Sequence, residues 1–159
     1  MPADCNSIDG RGRTGLSTGA AGEVPRDYAS YRALLGEAVA AVLENAASPA
    51  RSRSYRPLAM LSRGYDASAT AALASAAGCR EAITFVDSRR PDPRDDSGLA
   101  NARILSLECT EHDRRRYLCG GGRSEPEFAL FTLATPLSLA GVEDRLSSRI
   151  LVSGHFGDT

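Results

Sequence analysis

Pro57-Leu-Ala-Met-Leu-Ser-Arg-Gly-Tyr-Asp-Ala-Ser68 is the stretch whose reading decides the fold. Its short apolar run, Leu58 to Leu61, stops abruptly in a small, polar loop containing Gly64. An alanine-rich helical pattern, Ala67 to Ala77, follows at once. Strand, tight loop and helix in that order present backbone N–H groups and a positive helix end to an anion such as a phosphate. A second apolar run, Ile150-Leu-Val-Ser-Gly-His-Phe-Gly-Asp158, also ends in a loop bearing Gly and Asp. Two such loops suggest a nucleotide site.

Working outward, the spacing of Tyr28, Tyr31, Leu34, Leu35, Ala38, Val39, Val42 and Leu43 predicts an amphipathic helix from Asp27 to Asn45 that packs on a core. Pro25 precedes it, and the Ser48-Pro49 region stops it. After a polar linker comes the strand at Leu58–Leu61. The alanine-rich helix should end near Gly78, a suitable C-cap. Ala82 to Val86 reads as a second buried strand. Asp87 to Asp96, rich in Pro, Arg and Asp, reads as an exposed loop, and Ser97 as the N-cap of a helix over 98–106. From Glu108 to Arg123 the pattern is lost, with three glycines breaking any regular element. Short helices are expected around Phe128–Leu133 and Leu139–Ser147, then a last strand at Arg149–Ser153. Alternating helix and strand predicts an α/β fold with a mostly parallel sheet.

Residues 1–25 are rich in Gly, Ser, Thr and Arg and read as a flexible tail, with the folded domain at 26–159. At 159 residues the chain can bury one core but not two. A net charge of −1 gives no field that would favour nucleic acid or a membrane surface. All 19 basic residues are arginine, which is read as coding bias. No segment resembles a signal peptide or a bilayer span, and the four cysteines form no framework, so a cytoplasmic protein with reduced thiols is expected. Cys109, His112 and Cys119 lack an evident fourth partner for zinc and read as ordinary thiols and a surface histidine.

Ser62, Gly64 and Asp66 match the Ser-Gly-Gly-x-Asp-Ser pyrophosphate loop of the PP-loop ATP pyrophosphatase superfamily, which includes asparagine synthetase, GMP synthetase, NAD synthetase and argininosuccinate synthetase. The Ser153-Gly154-His-Phe-Gly-Asp158 loop is similar to the family's second one. Residues 27–159 follow the order seen around the synthetase domain of asparagine synthetase. The resemblance implies a three-layer α/β/α sandwich with a Rossmann-like sheet, of the adenine-nucleotide α-hydrolase type. It implies ATP and Mg²⁺ as ligands, with a small-molecule acceptor. It also implies cleavage of ATP to AMP and pyrophosphate to adenylate a carboxyl or amide oxygen before a nitrogen nucleophile attacks. A rival reading keeps the fold as a nucleotide- or partner-binding module without turnover.

In that reading Leu61, Val86, Ser153 and Gly154 face the adenosine, and Ser62, Gly64, Asp66 and Ser68 face the pyrophosphate. Asp66 ligates Mg²⁺, with Asp158 as its partner from the opposite loop. No protein nucleophile is needed. The same residues admit plainer readings: a strand-to-helix connection with a capping Asp66, a surface Asp158, a loop His155 and a solvated Arg114-Arg115-Arg116.

Three departures stand out. Arg63 replaces the first loop glycine, where it either contacts phosphate or closes the cradle. Ala67 replaces a serine. The sequence also stops at Thr159, just after the second loop, so an incomplete sheet with an open edge is expected. Marginal stability, a homo-oligomer or a partner subunit would follow from such an edge.

Overall fold

The structure, a computed structural model, describes residues 4–8, 14–18, 24–87, 96–119 and 135–154. The chain divides into two compact units, Met1–Leu34 and Leu35–Thr159. In the first, within the stretch read as a tail, β1 (Asp4–Ile8) and β2 (Thr14–Thr18) pair antiparallel, with Cys5 opposite Ser17.

Helix α1 (Tyr28–Ala47) forms where its periodicity predicts. Asp27 starts it with a reciprocal cap: Ser30 N–H donates to Asp27 Oδ1 at 2.8 Å, and Asp27 N–H donates back to Ser30 Oγ at 3.2 Å. Leu43 and Ala46 are buried and Val39 packs against them, whereas Tyr28, Tyr31, Leu34 and Val42 are exposed.

The second unit is organised on one parallel sheet. Its elements run β3 (Arg56–Leu61), α2 (Tyr65–Ala76), β4 (Glu81–Val86), α3 (Leu99–Ile104), β5 (Glu108–Asp113), a 3₁₀ turn at Arg116–Leu118, α4 (Thr135–Ala140), α5 (Glu143–Leu146) and β6 (Arg149–Val152). The strand order is β5-β4-β3-β6, all neighbours parallel, with Ala59 beside Ala82 on one side and Val152 on the other. This is a Rossmann-like α/β fold, as the alternation of elements predicts. The helix expected around Phe128–Leu133 lies outside the described residues.

Side chains alternate between the two faces of the strands. Ala59, Leu61 and Ala82 meet Leu43 of α1, Ala71 and Ala74 of α2, and Ala102 of α3 on one face. Small residues on both sides let these helices sit close to the sheet. Leu58, Ile83 and Phe85 meet Val142, Leu139 and Leu146 on the other face, the side of α4 and α5. Each fully buried aliphatic side chain here, such as Leu58 or Ile83, is worth about 1.5–3 kcal/mol of burial. Gly78 ends α2 at φ 98°, in the left-handed region expected of a C-cap glycine.

Within the parallel sheet, strand β5 is the one that sequence reading missed. Its Glu-Cys-Thr-Glu-His-Asp sequence has no apolar run, which suits an edge strand paired, among the described residues, with β4 alone. At the other end of the strands, Arg149 of β6 reaches across β3 to Glu81 of β4 in a two-pronged ion pair, both contacts at 2.7 Å. The guanidinium holds the Glu81 carboxyl below the usual carboxylate range. No helix among the described residues is long and apolar enough to cross a membrane.

Candidate functional site

From β3 the chain steps outward through β4 to β5, then returns to the opposite side of β3 as β6. The order therefore reverses between β3 and β6. In open parallel sheets the crevice at the carboxyl ends of the two strands flanking such a reversal is where ligands bind. Both loops singled out in the sequence leave the sheet at this point.

The first loop is tightly specified. Ser62 Oγ accepts the Gly64 N–H at 3.0 Å, and Gly64 is the N-cap of α2 in extended conformation, φ −64° and ψ 151°. Ser68 N–H donates to Gly64 O at 3.2 Å, the first bond of the helix. The amides of Tyr65, Asp66 and Ala67 thus have no carbonyl partner within α2, and they carry its positive end. The second loop closes on them. A Cβ added to Gly154 would overlap the backbone carbonyl carbon of Asp66 and come within 2.5 Å of the Ala67 nitrogen. Only glycine allows this approach.

Between the loops lies a cleft of about 330 Å³. Leu61, Ser62, Gly64, Asp66 and Gly154, all singled out from the sequence, line it. Met60 and Phe85 supply an apolar wall, and Asp96, Arg114 and Ser138 a polar one. None of these five was singled out from the sequence as a cleft residue, apart from the arginine run containing Arg114. They lie near strand ends or beyond β4, and only the pairing of strands brings them to one place. Arg114 is exposed, as expected for its run, and it also borders the cleft, with its guanidinium 4.0 Å from Asp96. Arg115 instead pairs with Asp87 at 3.4 Å.

Other expected site residues sit differently. Ser68 turns its hydroxyl back to Gly64 O at 2.8 Å and does not line the cleft. Val86 and Ser153 are half-buried at strand ends, outside the lining. Arg63 is exposed; its N–H donates to Asp96 Oδ1 at 3.1 Å, and its side chain is not among the lining groups. Asp158 and His155 lie outside the described residues. A helix is expected from Ser97 as N-cap, but α3 starts one residue later, after Gly98. Ser97 Oγ donates to Glu111 Oε2 at 2.8 Å.

Cys109 and His112 fall on opposite faces of β5, as three residues along a strand must. Burial, with Glu111 adding its charge, pushes the Cys109 thiol up to about 11. His112 is not at the surface. It is 8% exposed, its ring centroid is 6.3 Å from that of Phe85, and its Nε2 has no hydrogen-bond partner among the described residues. Among the described residues no three His, Cys, Asp or Glu side chains are grouped to hold a metal ion.

Burial holds the His112 pKa below its ordinary 6.5, with Arg116 and Arg145 acting in the same direction and Asp144 opposing them. A depressed histidine favours the folded state in its neutral form, so its contribution is full above pH 6.5 and is lost as pH falls below that value. The melting temperature should therefore drop as pH is lowered from 7.5 to 5.5. His112→Phe should flatten that part of the profile, and an unchanged slope would overturn the assignment.

Comparison with models of known protein families, with curated proteins and with solved structures gives no match.

Proposed function

We propose that the cleft binds ATP, with its pyrophosphate over the first turn of α2. We further propose that the chain is a PP-loop ATP pyrophosphatase-type domain nearest in plan to the synthetase domain of asparagine synthetase. The observation that carries this reading is the meeting of the two loops: each follows one of the two strands flanking the reversal, and Gly154 is seated against Asp66 and Ala67. An amide-lined helix start, a hydroxyl from Ser62 and a close glycine suit a phosphate chain.

In the proposed reaction an oxygen of the acceptor carboxyl or amide attacks the α-phosphorus. The bond from that phosphorus to the oxygen bridging it to the β-phosphorus breaks, and pyrophosphate leaves with the electron pair. The amides of Tyr65, Asp66 and Ala67 stabilise the charge that gathers on it. Bound Mg²⁺ would neutralise part of that charge, and Asp66, which lines the cleft, would hold it. A nitrogen nucleophile then displaces AMP from the adenylate.

The test is pyrophosphate release from Mg-ATP in the presence of candidate carboxylate acceptors, together with calorimetric titration by ATP. Release supports the enzyme. Binding without release supports a module that kept the fold and lost turnover, and absence of both overturns the nucleotide reading. The second of these readings has an observation in its favour. The Arg63 N–H is already taken by the Asp96 carboxylate, and the Ser68 hydroxyl by Gly64 O.

Arg63 offers a separate check. Its φ is not in the positive region, so its side chain is accommodated without backbone strain. Arg63→Gly should tighten ATP a few-fold or raise pyrophosphate release by restoring the glycine of the family loop. Weaker binding instead would identify the guanidinium as a phosphate ligand.

A further inference from the structure

We infer that Asn101 of α3 is the positioning residue of the 62–68 loop, holding it in the conformation that turns the first-turn amides of α2 toward the cleft. The inference of what those amides receive rests on the nucleotide reading above; the inference that Asn101 sets the loop does not. Asn101 Nδ2 donates one hydrogen to Ser62 O at 3.1 Å and the other to Ser68 Oγ at 2.8 Å. A carbonyl oxygen can only accept, so the nitrogen of the amide, not its oxygen, must face the loop. Ser68 Oγ, having accepted from Asn101, donates its own hydrogen to Gly64 O at 2.8 Å. One side chain thus ties the last residue before the turn, the N-cap and the first turn of the helix into a single chain of hydrogen bonds.

The rest of the segment between β4 and α3 reinforces that grip. Ser97 bridges Ser62, and Asp96 Oδ1 accepts the Arg63 N–H at 3.1 Å. Gly98 N–H donates to the buried Thr84 Oγ1 at 2.8 Å, and a Cβ on Gly98 would stand 2.6 Å from Leu61 Cβ. On the α3 side the loop is therefore held at Ser62 O, the Arg63 N–H and Ser68 Oγ. Tyr65, Asp66 and Ala67 line the cleft, and Gly154 is seated against Asp66 and Ala67. An asparagine is a poor helix former set between Ala100 and Ala102, and its contacts account for its presence there.

The experiment is hydrogen exchange read by mass spectrometry on the full chain, with Mg-ATP titration alongside. Asn101→Ala should speed exchange across residues 62–68 about tenfold, the equivalent of about 1.4 kcal/mol, while β3 and β4 keep their protection. It should also weaken Mg-ATP by about the same factor. Ser68→Ala removes one of the two contacts and should give a smaller change. The double variant should fall short of the sum of the two, because the contacts form one network. Should Asn101→Ala not fold, Asn101→Asp keeps the size and removes the donor to Ser62 O, and the same local acceleration is expected. Unchanged exchange at 62–68 in a folded variant, or strictly additive effects, would overturn the positioning role. If the unmodified protein fails to bind Mg-ATP, the nucleotide reading falls, and the exchange measurements still decide what Asn101 does.

Discussion

Gly154→Ala is expected to lower the stability of the domain by about 3 kcal/mol, the upper end for a methyl forced into packed surroundings. The added carbon would meet the main chain of Asp66 and Ala67, not the end of a flexible side chain that could swing aside. Either the end of β6 must move away from α2, or the first turn of α2 must unwind. The first option strains the register of β6 against β3, Arg56 to Ala59 beside Arg149 to Val152. The second removes the amides that line the cleft. A urea titration against the unmodified chain reads the loss, and an unchanged midpoint would mean that the two loops are not seated against one another. Gly64→Ala is the control at the same site. A Cβ there meets only Ser62 Oγ, at 3.2 Å, so its cost should be small.

Asp66→Asn is expected to abolish the part of ATP affinity that depends on Mg²⁺, a loss of at least about tenfold or 1.4 kcal/mol, while leaving the melt almost unchanged. Asp66 lines the cleft in the first turn of α2, where a carboxylate is already favoured by the helix end. Against a triphosphate it is an anion among anions, which is reasonable chiefly if a cation lies between them. Asparagine keeps the shape and removes the charge. Titrations with and without Mg²⁺ separate the outcomes. Equal Mg-ATP affinity in the folded variant would leave Asp66 as a helix-end residue only.

The residues that made the site legible in the sequence are those whose chemistry is local. Ser62, Gly64 and Asp66 lie within one turn of chain, so their spacing alone places them at a strand end and a helix start. Gly154 is legible for the same reason, since it follows an apolar run directly. Asp96 and Phe85, which line the cleft, and Asn101, which holds the first loop from α3, are not, because strand pairing or a crossover brings each of them there. Asn101 carried one faint signal, a polar, weakly helical residue inside an alanine-rich turn. Ser68 was legible as a hydroxyl near the loop, but not as one turned inward. Its direction depends on Asn101, which lies 33 residues away.

The sequence by itself determined the alternation of α and β elements, the strands β3, β4 and β6, and the glycine-bearing loops that follow β3 and β6. Continuous apolar runs and helical periodicity are properties of neighbours along the chain, so they survive without knowledge of the fold. Only the tertiary structure decided the order β5-β4-β3-β6 and the recruitment of the acid-rich β5 as an edge strand. Each of these depends on which surfaces meet across long stretches of chain. Burial against a distant partner, rather than local pattern, sets their energy.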